Sequence, residues 1–185
     1  MELKQAIYAR RAVRAYSSEP LDRAVIEHLI DAAIQAPSAV NEQPWAFTVV
    51  QNSALLKQIS SKAKAFMLAA PPKRLSGSHM QHLLADPDYD IFYHAPALIV
   101  ICNTKVGAWA VEDCALAAEN LMLAACAEGL GSCWIGFAQG WLGCADGKTA
   151  IGLPATWTPM APIIVGHPQS VPPPVPRNKP EIKWV

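Results

Sequence analysis

One run of six apolar residues constrains the fold of this chain more than any other stretch. Ala97–Cys102 is continuously apolar and lies between Pro96 and Asn103. Such a run, without polar alternation, is typical of a strand that is buried on both faces. Two further short runs, Trp45–Val50 and Pro162–Gly166, are rich in β-branched or aromatic residues and predict strands as well.

Four other segments have the periodicity or composition of helices. The second of them must stop before Pro37, and Gly129 ends the fourth. The region from Pro71 to Asp90 has no clear period and is predicted to be a loop or lid. We therefore predict a single domain over residues 1–185, with helices around a modest sheet. The predicted helices are Leu3 to about Ala12, Asp22–Ala36, Ser53–Ala69 and Trp109–Glu128.

The charge of the chain excludes several kinds of partner. Lys plus Arg and Asp plus Glu both number 15, so the formal net charge is zero, and only 16% of the residues are charged. Binding to nucleic acid or to an anionic membrane needs an excess of basic residues on one face, so neither partner is expected. Because 52% of the residues are apolar, we expect part of the surface to be buried against another protein.

The sequence leads us to expect no export or membrane-insertion signal. The polar residues Met1–Gln5 are not followed by an apolar h-region. The longest uncharged run, Ala150–Pro176, contains eight prolines, which a membrane-spanning helix does not accommodate. The five cysteines lack C-x-x-C spacing, which argues against a disulfide framework or a zinc site. We predict a cytoplasmic protein without a metal site.

Three local motifs resemble ligand sites but lack essential residues. Gly143–Thr149 resembles a P-loop, except that Leu142 stands where the first glycine is required. Gly129–Trp134 lacks the third glycine of a dinucleotide fingerprint and follows a predicted helix instead of a strand. The histidines and aspartates of residues 79–90 do not match a calcium loop.

Several other features are ordinary alone but occur in an informative order. Alone, the arginines of residues 10–14 indicate solvated charge at a helix end, and the loop Pro37–Trp45 indicates a set of turns. The ordered segments are RRAVRAY from Arg10, APSAVNEQPW from Ala36, YHAP from Tyr93, GLGSCWIG from Gly129, GLP from Gly152 and IVGHP from Ile164, followed by a proline-rich basic tail. Together they resemble the nitroreductase family of FMN-dependent oxidoreductases over essentially the whole chain.

This resemblance implies a fold, a cofactor and an assembly. The fold is an α+β nitroreductase-like fold, with a central, mostly antiparallel sheet flanked by helices and an extended tail, residues 171–185, exchanged onto the partner subunit. FMN is the implied cofactor, with NADH or NADPH as electron donor, in a homodimer whose FMN sites lie at the subunit interface. The implied reaction is ping-pong hydride transfer through flavin N5 to a flat, electron-poor acceptor such as a nitroaromatic or a quinone. Since the flavin carries this chemistry, no catalytic side chain is predicted.

The resemblance also assigns the contacts to FMN. Arg10, Arg11 and Arg177 would bind the phosphate, because guanidinium groups form bidentate, charge-assisted hydrogen bonds with it. Ala12 stands where the family commonly has a serine, so only its backbone can contribute. Arg14 would lie at the N1/O2 edge of the flavin, where a fixed cation raises the reduction potential.

Two further segments complete the implied site. Pro37, Ser38 and Asn41 would approach the cofactor from the second subunit, with Asn41 near the ribityl hydroxyls. Ile135 and Gly136 would cover one face of the ring, with the Gly136 amide near N5, where the missing side chain allows a close approach.

Two alternative functions stay open at this point. The same fold could support reductive dehalogenation or consumption of FMN, or the chain could bind flavin without turnover. The last alternative is kept open by Ala12 and Ala39, which replace hydroxyl residues that are frequent in the family. No motif identifies the physiological substrate or separates NADH from NADPH.

Overall fold

The computed structural model describes residues 1–71, 79–105, 107–170 and 172–185. Within these ranges the chain forms seven α-helices and four β-strands, and every helix is either too short or too polar to span a lipid bilayer. The helices are α1 (Leu3–Ala9), α2 (Arg23–Ile34), α3 (Ser53–Ala69), α4 (His79–Ala85), α5 (Ala110–Ala127), α6 (Gly136–Gly143) and α7 (Ala145–Ala150). The strands are β1 (Trp45–Val50), β2 (Ala97–Asn103), β3 (Gly131–Trp134) and β4 (Thr158–Gly166).

Strand β2 is the centre of the core, and all of its residues are buried. Leu98, Val100 and Cys102 belong to one apolar cluster, to which α3 and α6 contribute. The alternate residues Ile99 and Ile101 belong to a second cluster, to which α2 and α5 contribute. Successive side chains of a strand point to opposite faces, so the uninterrupted apolar run requires cover on both sides. The prediction of a central, fully buried strand is confirmed.

The four strands form one antiparallel sheet in the order β1-β2-β4-β3. Ile101 lies opposite Phe47 of β1, and Ile99 lies opposite Ile163 of β4. On the far side of β4, Ile164 lies opposite Cys133 of β3. This arrangement confirms the predicted α+β fold with an antiparallel sheet flanked by helices.

The boundaries of the predicted elements are reproduced unevenly. Strand β1 and helix α3 have the predicted bounds. Helix α1 ends at Ala9 and not near Ala12, because Arg10 adopts an extended ψ of 129°. Strand β4 begins at Thr158, ahead of the predicted start at Pro162. Its additional proline, Pro159, lies beside a register shift in the pairing with β2, where a sheet tolerates the missing N–H.

Residues 131–150 differ most from the expectation. The glycine-rich segment Gly129–Gly136, in which the sequence predicts no strand, contains β3 and the start of α6. The P-loop lookalike lies at the end of α6 and in α7, and Gly147 is required there because a Cβ would come within 2.0 Å of the Trp141 carbonyl oxygen. Short, glycine-rich elements of this kind leave little periodicity to detect.

Two predicted segments are described only in part by the structure. The predicted loop or lid between Pro71 and Asp90 contains helix α4, while its residues 72–78 lie outside the described ranges. In the predicted extended tail, residue 171 also lies outside them, and residues 172–185 contain no helix or strand.

The five thiols differ in burial, which generates a prediction. Cys102, Cys114 and Cys133 are buried, whereas Cys126 and Cys144 are partly exposed. Burial raises the pKa of Cys102 to about 12 and that of Cys114 to about 11. Since the thiolate is the reactive form, we expect the native protein to react rapidly with a disulfide reagent at about pH 8 at no more than two thiols, and at all five after denaturation in guanidinium. A third rapidly reacting thiol in the native protein would contradict this burial pattern.

Candidate active site

The segment Arg10–Tyr16, here called the arginine segment, lies along the free edge of β3. Ala12 forms a parallel bridge with Ser132, and the Val13 amide donates a hydrogen bond of 3.0 Å to the Ser132 carbonyl oxygen. The early end of α1 makes this path possible, because the chain turns from the helix into an extended conformation at Arg10. Arg10, Arg11 and Arg14 are thereby aligned beside the strand that leads into Ile135 and Gly136.

The approach of the two segments is close enough to require a glycine. A Cβ on Gly131 would lie 2.8 Å from Cβ of Val13, a distance that real Cβ atoms do not show. Because Val13 Cβ is attached directly to the backbone, no rotamer change can relieve such a contact. Gly131 therefore allows the arginine segment to pack on β3.

A cavity of about 700 Å³, here called the main cavity, opens beside the end of β3. Its walls are mostly apolar, and Arg14, Tyr89 and Tyr93 supply its charged and hydroxyl groups. Ile135 and Gly136 also line it, and a Cβ on Gly136 would meet no other atom within 4 Å. The volume is in the range of small-molecule sites, and the open backbone at Gly136 can accept a flat ring at close range.

A second cavity of about 150 Å³, here called the arginine cavity, lies beside Arg10 and Arg11. One terminal nitrogen of Arg11 donates to the carbonyl oxygens of Tyr8 and Arg10, each at 2.7 Å. The Arg11 Nε is buried and has no hydrogen-bond partner among the described residues. A buried N–H group without a partner can donate a hydrogen bond to an added acceptor, and an anion such as a phosphate is a suitable acceptor. Arg10 contributes further positive charge, offset in part by Glu119 at 3.5 Å from its Nε.

The loop that contains Pro37, Ser38 and Asn41 lines neither cavity of its own chain. Ser38 Oγ accepts from the Gln43 amide, and Asn41 Oδ1 accepts from the Gln43 side chain, both at 2.9 Å. Val40, which is 92% exposed, has a φ of +46°, a left-handed conformation that is costly for a β-branched residue. This strained loop presents an apolar side chain to its surroundings.

The arginine of the tail lies apart from those of the N-terminal segment. Arg177 is exposed and lines neither the main cavity nor the arginine cavity. A single chain therefore brings together Arg10, Arg11 and Arg14 with Ile135 and Gly136, but not with Arg177 or with the Pro37–Asn41 loop. Among the described residues, no three His, Cys, Asp or Glu side chains are grouped so as to hold a metal ion.

Two tyrosines to which the sequence assigned no role, Tyr89 and Tyr93, contribute to the main cavity. The hydroxyls of Tyr89 and Tyr93, here called the tyrosine pair, are 2.8 Å apart, and the two rings meet edge to face. The guanidinium carbon of Arg14 lies 5.9 Å from the centre of the Tyr93 ring. The sequence feature that could have indicated them is the occurrence of two tyrosines in a short stretch just before the central strand.

Lys64 of α3 holds the chain next to the tyrosine pair. Its buried ammonium group donates to the carbonyl oxygens of Asp86 and Tyr89 at 2.7 and 2.6 Å, and to that of Pro87 at 3.5 Å. Three carbonyl acceptors compensate the desolvation of the charge. The ammonium group thus anchors the Asp86–Tyr89 backbone to the core.

Comparison with known proteins identifies the family. The family model described as Nitroreductase family matches residues 7–167. The chain belongs to the nitroreductase family. Over 100% of this chain and 99% of the other, it superimposes with a TM-score of 0.85 on the crystal structure of a nitroreductase with bound FMN from Bacteroides fragilis, at 27% sequence identity.

Curated members of the nitroreductase family match over shorter stretches. A protein of Archaeoglobus fulgidus, provisionally named NADH dehydrogenase/NAD(P)H nitroreductase, is 34% identical over 124 residues, which cover 64% of this chain and 58% of that protein. The iodotyrosine deiodinase of Haliscomenobacter hydrossis is 30% identical over 103 residues, which cover 54% of this chain and 46% of that protein. The chain thus spans about half of the length of the curated relatives that it matches.

The packing of the arginine segment can be tested with two glycine variants. We expect Gly131→Ala to destabilise the protein by about 1–3 kcal/mol, because the new methyl group must separate Val13 from β3. Gly143→Ala is the matched control, since its Cβ would meet no atom within 4 Å and alanine favours the helix. Urea unfolding measures both changes. Equal stability of the two variants would contradict the close contact.

Proposed function

We propose that this protein is an FMN-dependent NAD(P)H oxidoreductase that reduces flat, electron-poor acceptors such as quinones and nitroaromatics. The observation that carries the proposal is the pairing of two sites along one strand edge. Gly136 lines an apolar cavity of about 700 Å³. Arg11, whose buried Nε has no hydrogen-bond partner among the described residues, lines the nearby arginine cavity. FMN has a flat ring and a phosphate group, and when bound it supplies hydride transfer.

The residues of this chain fit the two ends of FMN. Arg10 and Arg11 would hold the phosphate, with the backbone of Ala12 beside them. Ile135 and Gly136 would support the ring at the edge of the main cavity, and Arg14 would face its polar edge. A fixed guanidinium there favours negative charge on the ring and so raises the reduction potential. The names of the relatives in Bacteroides fragilis and Archaeoglobus fulgidus support FMN as the cofactor and NAD(P)H as the electron donor.

The main cavity also supports a ping-pong order of binding. The residues that line it surround a single space beside Gly136. The nicotinamide donor and the flat acceptor would both need that space in order to reach the ring at close range. They would therefore occupy it in turn, with the apolar walls excluding water during each transfer.

We further propose a homodimer in which the partner completes each site. The strained loop with exposed Val40 would bring Pro37, Ser38 and Asn41 to the cofactor of the other subunit. The tail would lie on the partner and supply Arg177 to the phosphate. Exposed apolar side chains on three elements support this assembly, since obligate interfaces are more apolar than ordinary surface. They are Leu3 and Ile7 of α1, Trp109, Val111 and Leu116 in or next to α5, and Val175, Ile182 and Trp184 of the tail.

Cofactor uptake tests the main proposal. We expect protein incubated with excess FMN and then desalted to retain about one FMN per chain, with flavin absorbance between about 350 and 500 nm. NADH or NADPH should bleach this absorbance without oxygen, and 1,4-naphthoquinone should restore it. Gly136→Ala should slow the bleaching at least about 10-fold, because its methyl group would enter the space used by the ring. Gly143→Ala, also open at its Cβ but on the exposed end of α6, should not.

Three results would count against this function. Protein that takes up no FMN would contradict it directly. FMN that is bound but not reduced by either nicotinamide would favour a flavin-binding protein without turnover. Iodide release from 3-iodotyrosine, without reduction of the quinone, would favour the dehalogenase alternative, for which the relative in Haliscomenobacter hydrossis is named.

The proposed assembly predicts a mass and a sensitive residue. Light scattering at about 10 µM should give twice the chain mass of 19.9 kDa. Trp184 is 89% exposed in the isolated chain, so Trp184→Ala should raise the dimer dissociation constant at least about 10-fold in dilution experiments. The neighbouring Lys183→Ala is the control and should have little effect. A monomer at about 10 µM would contradict the shared site.

A further inference from the structure

The tyrosine pair has one O–H group that donates a hydrogen bond to no described residue. The two hydroxyls are 2.8 Å apart, so one O–H donates to the other oxygen. The second hydroxyl keeps its own proton, because each phenol has a single O–H. Both Tyr89 and Tyr93 line the main cavity, so that proton is available to a molecule bound there.

Tyr89 does not ionise near neutral pH and therefore keeps its proton. Burial, followed by the hydrogen bond between its hydroxyl and that of Tyr93, raises the pKa of Tyr89 above its ordinary value, while Arg14 acts in the opposite direction more weakly. A phenol that does not ionise near neutral pH can donate to an uncharged oxygen throughout that range. The positive charge of the nearby Arg14 guanidinium also attracts an electron-rich oxygen, while the tyrosine hydroxyl supplies the hydrogen bond.

The backbone around the pair is held firmly. Asp90 accepts from the amides of Phe92 and His94, each at 2.9 Å, on either side of Tyr93. These bonds support Tyr93 in a left-handed conformation with a φ of +53°. Lys64 fixes the carbonyl side of Tyr89, as described above. A recognition group needs a supporting shell of this kind in order to discriminate between ligands.

The rest of the cavity limits where a polar ligand group can be placed. Met67, Ile91 and Phe137 are among its apolar walls, and the glycine face at Gly136 belongs to the proposed ring site. We propose that the tyrosine pair is the acceptor-recognition site of this enzyme, where it donates a hydrogen bond to a carbonyl or nitro oxygen of a flat acceptor. The assignment rests on the proposed function and adds the residues that select oxygen-bearing acceptors over plain aromatic hydrocarbons.

The test compares two ligands of similar shape on the oxidised, FMN-loaded protein without nicotinamide. 1,4-Naphthoquinone carries two acceptor oxygens and naphthalene carries none, and perturbation of the flavin absorbance measures the dissociation constant of each. We expect the double variant Tyr89→Phe/Tyr93→Phe to bind naphthoquinone about 5- to 10-fold more weakly and naphthalene within about 2-fold of wild type. Tyr8→Phe, on the exposed side of α1, is the matched control and should change neither constant.

The single variants give a signature that a structural role would not produce. When one hydroxyl is removed, the other is released from the pair and can donate to the ligand, so each single variant should lose less than about 3-fold. The loss should therefore appear mainly in the double variant. The affinity for FMN and the melting temperature should remain those of wild type, since phenylalanine keeps both rings.

The possible failures are distinguishable. Wild-type protein that takes up no FMN contradicts the proposed function itself. FMN-loaded double variant with unchanged naphthoquinone affinity contradicts the acceptor-recognition site alone. Weakened FMN binding in the double variant would also overturn it, because the hydroxyls would then contact the cofactor. An equal loss of affinity for naphthalene and for naphthoquinone would show that the pair only packs against the ligand, and would contradict the proposed hydrogen bond.

Discussion

The complete burial of β2 is the constraint on which the rest of this structure depends. A strand with no exposed residue has to be covered on both faces, and its alternate side chains join two separate apolar clusters. Helices α2 and α5 cover one face, and α3 and α6 cover the other. With the middle of the sheet enclosed in this way, the groups that can meet a ligand are found at its edge.

The groups that we propose to bind the cofactor lie at the β3 edge of the sheet. The hydrogen bond from the Val13 amide to the Ser132 carbonyl oxygen joins the arginine segment to the sheet. Gly131 allows this close approach because it has no Cβ. Residues from the beginning and from the later part of the chain thereby share one surface. An apolar cavity with an open glycine backbone and a cavity lined by two arginines then lie along the same short strand. This separation of functions suits a ligand with a flat end and an anionic end.

Helix α3 holds the segment that brings the tyrosine pair to the main cavity. Ser60 Oγ accepts from the Ile91 amide at 3.1 Å, and Lys64 binds three carbonyl oxygens just before it. The same helix buries Ile59 and Ala63 in the core. Core packing and the position of the tyrosine pair are therefore coupled through one helix. The proposed ring site therefore lies at the sheet edge, and the proposed acceptor-recognition site is supported by α3.

The strands β1, β2 and β4 and the long helices were predictable because burial imposes a period or an unbroken apolar run on them. The strand β3 and helices α6 and α7 were not, since they are short, rich in glycine and defined by contacts with distant residues. The arginine segment and the Ile135–Gly136 turn were predictable only through the ordered pattern of the whole chain. All the contacts to FMN that the resemblance assigns remain predictions, and those of Arg177 and of the Pro37–Asn41 loop depend in addition on a second subunit.

By itself, the sequence determined the central buried strand, the helices that must cover it and the family to which the chain belongs. These properties follow from patterns among neighbouring residues and from the order of motifs. Only the tertiary structure decided that Arg11 has a buried donor without a partner in the described part of the chain, and that Tyr89 and Tyr93 meet at the main cavity. Those contacts depend on the path of loops whose backbone is held by Lys64 and Asp90, and such a path leaves no periodic signal in the sequence.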